Sequence, residues 1–407
     1  MAEWPAVFAV EGVERNYAWG SPTLIPRLLG AEPDGRPIAE LWFGAHEDDP
    51  SYVVSEGVAL DTLIATEPAA LLGTAVADRF DGRLPFLTKV LAAERALSIQ
   101  VHPTLDQARA GFEAENALGL ARDAPDRLYR DANHKPELLC ALTPFDALCG
   151  FRECADTLRL LDALGCAPLI PVRTALAAGD LKDAFTWLLR ADDPVPIVRS
   201  VVAQAGRLLD DPEWAGAARA VAMANADFPD DIGVALSLLL NDVRLEPGEA
   251  IYLGAGNVHC YLRGMGVEVM ANSDNVLRCG LTPKHIDLDA LLTVADFTPL
   301  AQPRFAPDRT DGTGSEFQPP VPDFRVTSVD LDGYRKPGAA LGSCAAGTSS
   351  QPYLVLCVSG ALEIVAAGDR VSLLPGRAAF VPAREAAFTL TGAGQAFLVT
   401  VGADRQT

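Results

Sequence analysis

No uninterrupted apolar run in the 407 residues approaches the roughly 20 residues that a membrane-spanning helix needs, so no membrane partner is expected. The opening stretch "MAEWPAVFAVEGVERNYAWG" has neither a basic n-region nor an apolar core of signal-peptide length. The eight cysteines are scattered, with no CxxC pair and no small-domain framework. They read as reduced thiols and point to a cytoplasmic protein. Positive charge is also scarce. Thirty-three Lys and Arg stand against 54 Asp and Glu, a net charge of −21, which argues against nucleic acid or an anionic surface as the main partner. An anionic small molecule would need a local basic cluster. Histidine occurs only five times, so each one can be weighed individually.

What is present falls into two textures. Up to about residue 152 the chain shows short apolar runs broken by Gly, Pro and Asp, and "LPFLTKVLAAERALSIQVHP" (84–103) reads as two strands joined at Ala93–Arg95. From 153 to 242, segments such as "DLKDAFTWLLRADD" and "VPIVRSVVAQAGRLLDD" space apolar residues three and four apart, with Asp near several ends. That is the period and capping chemistry of helices. Strand texture returns at "LEPGEAIYLGAGNVHCYL" (245–262). The expected fold class is mainly β with an inserted α-helical domain. Residues 1–152 plus 243–300 would form a catalytic cupin-like β domain, 153–242 the helical insertion, the Pro-, Gly- and Asp-rich 301–324 a linker, and 325–407 a C-terminal β-barrel. "LLPGRAAFVPAREAAFTL" (373–390) echoes 245–262 in its Pro-Gly pair and the alternating strand after it, which implies two cupin-like or jelly-roll β domains. Aligned on Pro-Gly, Ala387 stands against His259, so the second barrel is expected to hold no metal.

In "LSIQVHP" (97–103), Leu97, Ile99 and Val101 alternate with Ser98, Gln100 and His102. A strand turns successive side chains to opposite faces, which sets Gln100 and His102 on one face about 6.6 Å apart at Cα, within common reach of one ion. Glu137 opens the apolar run "ELLCAL" directly after Pro136, which favours an extended entry. His259 follows "GAGNV". Two imidazoles and a carboxylate are a common ligand set for Zn²⁺ or Fe²⁺ with open positions. A neutral Gln carbonyl would leave such a site near +1, a charge that favours an anionic ligand. His46, near a polar loop, carries no functional signal, and His285, at an expected helix start, reads as a surface residue. Taken alone, the spacing leaves metal ligands and ordinary hydrogen-bonding histidines both open.

Five segments, "NYAWGS", "LSIQVHP", "YRDANHKPELL", "GNVHCYL" and "ANSDNVLRCGLTPK", resemble the type I phosphomannose isomerase family in type and order, across residues 16–284. The resemblance implies one zinc held by Gln100, His102, Glu137 and His259, a catalytic arginine at Arg278, and interconversion of mannose 6-phosphate and fructose 6-phosphate. Such an aldose–ketose isomerisation opens the sugar ring, moves a proton between C2 and C1 and holds an enediolate. Arg278 cannot readily give up its proton, so its expected role is to stabilise the developing oxyanion. Imidazole chemistry suits His134 to ring opening. Lys135, Glu268 or a water at the metal would carry the mobile proton. Lys89, Ser98 and Lys284 are expected at the phosphate, with Trp19 and Tyr261 walling the sugar. A mononuclear iron oxygenase and a non-catalytic sugar-binding β protein are the competing classes. The first leaves Lys89, Lys135, Arg278 and Lys284 unexplained, and the second needs no Arg278. A monomer is expected.

Overall fold

The computed structural model describes residues 4–284, 286–311, 314–332, 342–345, 350–385 and 387–403. Residue contacts divide the chain into two compact units: 1–92, 267–272 and 306–407 in one, and 93–266 with 273–305 in the other. Both combine antiparallel sheets with helices, so the fold is mainly β with helices, as expected.

The first unit is a sheet-on-sheet packing. A four-stranded sheet runs Gly342–Ala345, Thr389–Ala393, Ala361–Ala366, Asp369–Leu373. Strand Ala361–Ala366 shows why: Leu362, Ile364 and Ala366 alternate with more exposed Ala361, Glu363 and Val365, the pattern of a strand with one buried face. Leu362, Ile364, Leu373 and Leu390 share one core with Val329, Val355, Ala379 and Leu398 of a nine-stranded antiparallel sheet. The middle of that larger sheet runs Gln395–Thr400, Tyr353–Cys357, Ala378–Val381, Phe8–Glu11.

Two expectations about boundaries are corrected in this unit. The strand Phe8–Glu11 does not join the sheet of the strands expected to carry the ligands. Phe8 pairs with Phe380 across two strands, and their rings lie 6.4 Å apart. The 301–324 "linker" contains strands Arg309–Asp311 and Gly314–Phe317, which pair with each other and then with Arg325–Asp330. Pro- and Asp-rich composition is overruled there because an existing sheet edge supplies the ladder partners. The Pro-Gly echo holds for its turn and fails at its histidine. Gly248 (φ +92°) and Gly376 (φ +73°) both take left-handed turn positions that glycine adopts without a Cβ penalty. Strands Ala250–Leu253 and Ala378–Val381 follow at the same offset. Eleven residues past the glycine, however, His259 is buried in a strand while Ala387 is exposed ahead of one.

The second unit carries helices throughout 154–239, from Cys154–Leu164 to Gly233–Leu236. They do not form a separate domain. Leu160, Val172, Phe185, Val198 and Val221 belong to the same apolar core as Ile99, Val101, Phe151, Cys260, Leu262 and Leu277 from the strands. The helices are therefore one layer of a mixed unit. At its centre Phe185 meets Phe151 (5.6 Å, interplanar 90°) and Phe297 (5.5 Å, 72°), and the latter two stack at 5.3 Å.

Phe185→Ala should destabilise this unit by about 3–5 kcal/mol, the usual cost of emptying a buried aromatic site. In a denaturant titration, helix and strand amides of the unit should lose exchange protection in one transition. Protected strands beside melted helices would show two domains after all.

Candidate metal centre

Four strands set the centre. His259 opens the strand His259–Ala271 and pairs with Gln100 on one side and Cys149 on the other. Gln100 in turn pairs with Arg278 of the strand Leu277–Gly280. Directly opposed residues share a face, so Arg278, Gln100 and His259 stand in a row across three adjacent strands. His102 follows Ile99–Val101 immediately. The chain turns away two residues later, where Thr104 and Gln107 form a reciprocal capping box at the start of helix Leu105–Ala117. Glu137 is the first residue of strand Glu137–Ala141 and pairs with Leu253.

These residues converge out of water. His102 and His259 are fully buried and Glu137 is 2% exposed. His102 Nε2 lies 3.4 Å from Glu137 Oε1, and His259 Nε2 lies 3.5 Å from Oε2. The ligand atoms of the three residues all fall within 4.8 Å of one another. The Gln100 amide is 3.3 Å from His259 Nε2, and turning that amide over brings its carbonyl oxygen to the same spot. Each imidazole has its other nitrogen on a backbone carbonyl: His102 Nδ1 on Asn275 at 2.8 Å, His259 Nδ1 on Asn257 at 2.9 Å. A carbonyl only accepts, so both Nδ1 atoms carry the hydrogen and both Nε2 atoms turn lone pairs inward, the usual arrangement of metal-binding histidines. His102 Nε2 and Glu137 Oε2 make no hydrogen bond, which costs on the order of 1–3 kcal/mol for each buried group left unmet. A cation among them answers both, so the donor set fits a metal ion.

The electrostatics agree. Burial holds the imidazole of His102 below its ordinary range despite the pull of Glu137. Burial, reinforced by the charge of His102, lowers that of His259 to about 4. Burial alone would raise the Glu137 carboxyl, but Lys135, with Nζ 3.2 Å from Oε1, and the two imidazoles outweigh it and hold it well below the carboxylate range. Neutral imidazoles beside an ionised carboxylate are the protonation states that metal ligands require.

The same unit carries a basic cluster. Burial and then the charge of Arg130 lower the pKa of Arg278, and Arg278 is the largest of the influences that lower that of Lys284, ahead of burial and Arg130. None of the three forms an ion pair with a described residue. Arg278 and Lys284 line one pocket with Arg127, Leu128 and the carboxylates Asp126 and Asp287. Between them Leu281 takes a left-handed conformation (φ +52°), with its N–H and that of Thr282 both held by Asp231. Arg130 was not singled out in the sequence, because an exposed Arg in a loop carries no local signal.

The remaining expected residues are placed as follows. His134 is half-buried in the loop before Lys135, and Ser98 is half-buried just ahead of the strand with Gln100. Tyr261 is 2% exposed, edge-on to Phe145 and with its ring 6.2 Å from that of His259. Lys89, Glu268 and Trp19 belong to the other unit. There Lys89 is buried with Nζ 3.5 Å from Glu40 and 3.2 Å from Glu268, and 5.0 Å from the Trp42 ring centre. Two carboxylates stand against that ammonium here. Trp19 stacks on Tyr17 at 5.7 Å. His46 is buried edge-on to Trp42. His285 lies outside the described residues.

Comparison with known proteins gives this constellation its context. The family pattern "Phosphomannose isomerase type I, catalytic domain" matches residues 7–154. The mannose-6-phosphate isomerase of Salmonella typhimurium is 40% identical over 395 residues, covering 94% of this chain and 96% of its own. The chain belongs to the type I phosphomannose isomerase family. The rat mannose-6-phosphate isomerase is 33% identical, covering 97% of this chain and 95% of its own. Among solved structures, a mutant of the Salmonella typhimurium phosphomannose isomerase superposes with a TM-score of 0.88 at 38% identity, covering 98% of this chain and all of the other. A zinc-bound mannose 6-phosphate isomerase does so at 0.85 and 36%, with the same coverage.

Acid should destabilise the metal-free protein. Between pH 6.5 and about 4 the unfolded chain takes up a proton at His259 that the folded chain refuses, so stability falls as pH falls, by about 3 kcal/mol over that window. Glu137, with its folded pKa depressed, adds a loss in the same direction below its ordinary range. Denaturant titrations of chelator-treated protein from pH 7 to 4 measure this. A flat profile would mean that the imidazoles are not buried in their neutral form.

Proposed function

We propose that this chain interconverts mannose 6-phosphate and fructose 6-phosphate, using one zinc held by Gln100, His102, Glu137 and His259. The observation that carries the reading is the buried convergence of two imidazole nitrogens and a carboxylate, with His102 Nε2 and Glu137 Oε2 unmet, in a chain of this family. Zinc in that position supplies a Lewis acid that polarises the oxygens of the sugar.

The chain's own residues do the rest. Arg278 stands next to Gln100 in the cross-strand row and remains charged throughout. Its guanidinium stabilises the negative charge that develops on the sugar as the proton leaves C2, through a cis-enediolate. Arg130 and Lys284 share its electrostatic neighbourhood and receive the phosphate, whose charge relieves the mutual repulsion of the three cations. This local cluster is what a chain of net charge −21 needs to attract a sugar phosphate. His134 and Lys135 flank the ligand Glu137 in sequence and serve ring opening and proton transfer. Residues 325–407 contribute packing and no second metal. No described helix is long and apolar enough to cross a membrane, and the seven described cysteines are free thiols, which supports the cytoplasm as the place of work.

Purified protein should contain about one zinc per chain, lose turnover of mannose 6-phosphate on chelation and regain it on adding zinc. A fully active demetallated preparation ends this reading, and a second tightly held equivalent contradicts the role given to 325–407.

Arg278→Ala should lower kcat by about a hundred- to a thousand-fold with little change in KM, as when a donor to a transition-state charge is removed. Lys284→Ala should raise KM with a smaller effect on kcat, and both variants should keep their zinc. If Arg278→Ala raised only KM, Arg278 would be a phosphate anchor instead.

A further inference from the structure

Asn275 is fully buried and is neither a proposed ligand nor a substrate contact, yet every polar group it has is engaged. Its backbone carbonyl accepts from His102 Nδ1 at 2.8 Å. Its side-chain oxygen accepts from the backbone N–H groups of Arg130 (2.7 Å) and Asp131 (3.2 Å). Its side-chain nitrogen donates to the carbonyls of Asp131 and Asn133, both at 2.8 Å, and to Asp131 Oδ1 at 3.3 Å. Asp131 closes the knot from the other side. Its carboxylate accepts from the N–H groups of Asn133 (2.9 Å) and Asp274 (2.7 Å) and from the Ser273 hydroxyl (2.9 Å). Ser273 Oγ also accepts from Asn275 N–H at 3.2 Å.

The segment so tied, 130–133, begins with a cation of the basic cluster and runs into His134, Lys135 and Glu137. A carboxamide is the side chain that can both accept from and donate to a loop's backbone at one buried spot. Buried polar knots of this kind fix a single arrangement when every member is satisfied. We propose that Asn275 is a positioning residue shared by two sites. Its carbonyl fixes the tautomer and orientation of His102 at the metal. Its carboxamide fixes the loop that carries Arg130 towards the phosphate and leads into Lys135 and Glu137. One anchor therefore couples metal binding to substrate binding. This rests on the functional reading above only for the identity of the substrate.

The coupling is reciprocal, so it can be read in the unaltered protein. Zinc loading should slow hydrogen exchange at the amides of Arg130 and Asp131. The full-length Asn275→Ala variant keeps the carbonyl on His102 but loses the carboxamide that anchors its backbone, so zinc affinity measured by chelator competition should fall by about ten-fold, the low end of what a disturbed orienting partner costs. At saturating zinc, KM for mannose 6-phosphate should rise by about ten-fold with kcat changed by less than about three-fold. Exchange at the two amides that is indifferent to zinc overturns the proposal, whether or not the variant folds. So does a variant that loses only thermal stability, or that shifts zinc affinity without KM or KM without zinc affinity. If the unaltered protein fails to turn over mannose 6-phosphate, the functional reading falls by itself, while the zinc and exchange measurements still decide the anchor.

Discussion

The charge on Glu137 is the constraint around which the second unit is arranged. A carboxylate 2% exposed is tolerable only with cations or donors against it. Lys135 meets one oxygen, and the two imidazoles, held neutral by burial, leave the other without a hydrogen bond. The fold therefore presents a site balanced in charge by Lys135 but with ligand atoms left unmet. Strand pairing supplies the rigidity: His259 is locked between two neighbours, and Gln100 between His259 and Arg278. The Gln100 amide and the guanidinium thus occupy adjacent places in one ladder, and loops do not decide their spacing.

Cation placement follows a contrasting logic in the two units. Lys89 is buried between Glu40 and Glu268 and lies over Trp42, a closed arrangement that satisfies itself. Arg130, Arg278 and Lys284 repel one another without an acidic partner among the described residues. Folding energy keeps such groups together only where some other interaction holds their backbone. Asp231 does this at Leu281 and Thr282, and Asn275 at Arg130 and Asp131. A dianionic phosphate is the natural complement to three unpaired cations, whereas it would have to displace carboxylates at Lys89.

The convergence of Gln100 with His102, Glu137 and His259 was legible in the sequence because strand alternation puts Gln100 and His102 on one face, and because so few histidines compete for attention. Helices over 154–239 were equally legible from their period. Their status as a layer was not, because the aromatic cluster of Phe151, Phe185 and Phe297 joins segments that only the fold brings together. The partners of Lys89 were hidden for the same reason: Glu40 and Glu268 lie far off in the chain, and a lysine among aliphatics looks alike whether it faces an anion or two carboxylates. Asn275 and Arg130 gave no signal, since a carboxamide knot has no periodicity. The strands in 301–324 were hidden by turn-forming residues, and only a preformed edge reveals them as strands.

The pairing of Phe8–Glu11 with Ala378–Val381 has a consequence for how the molecule is made. A ribosome releases the first of these strands long before it has built the second. The earliest strand must then wait, with its apolar side chains uncovered, until nearly the whole chain has emerged. Contacts so distant in sequence are slow to form and leave partly folded chains open to association. The second unit draws its residues from 93–266 and 273–305 and can assemble earlier, so its candidate metal site is expected to be complete before the sheet that joins Phe8–Glu11 to Ala378–Val381.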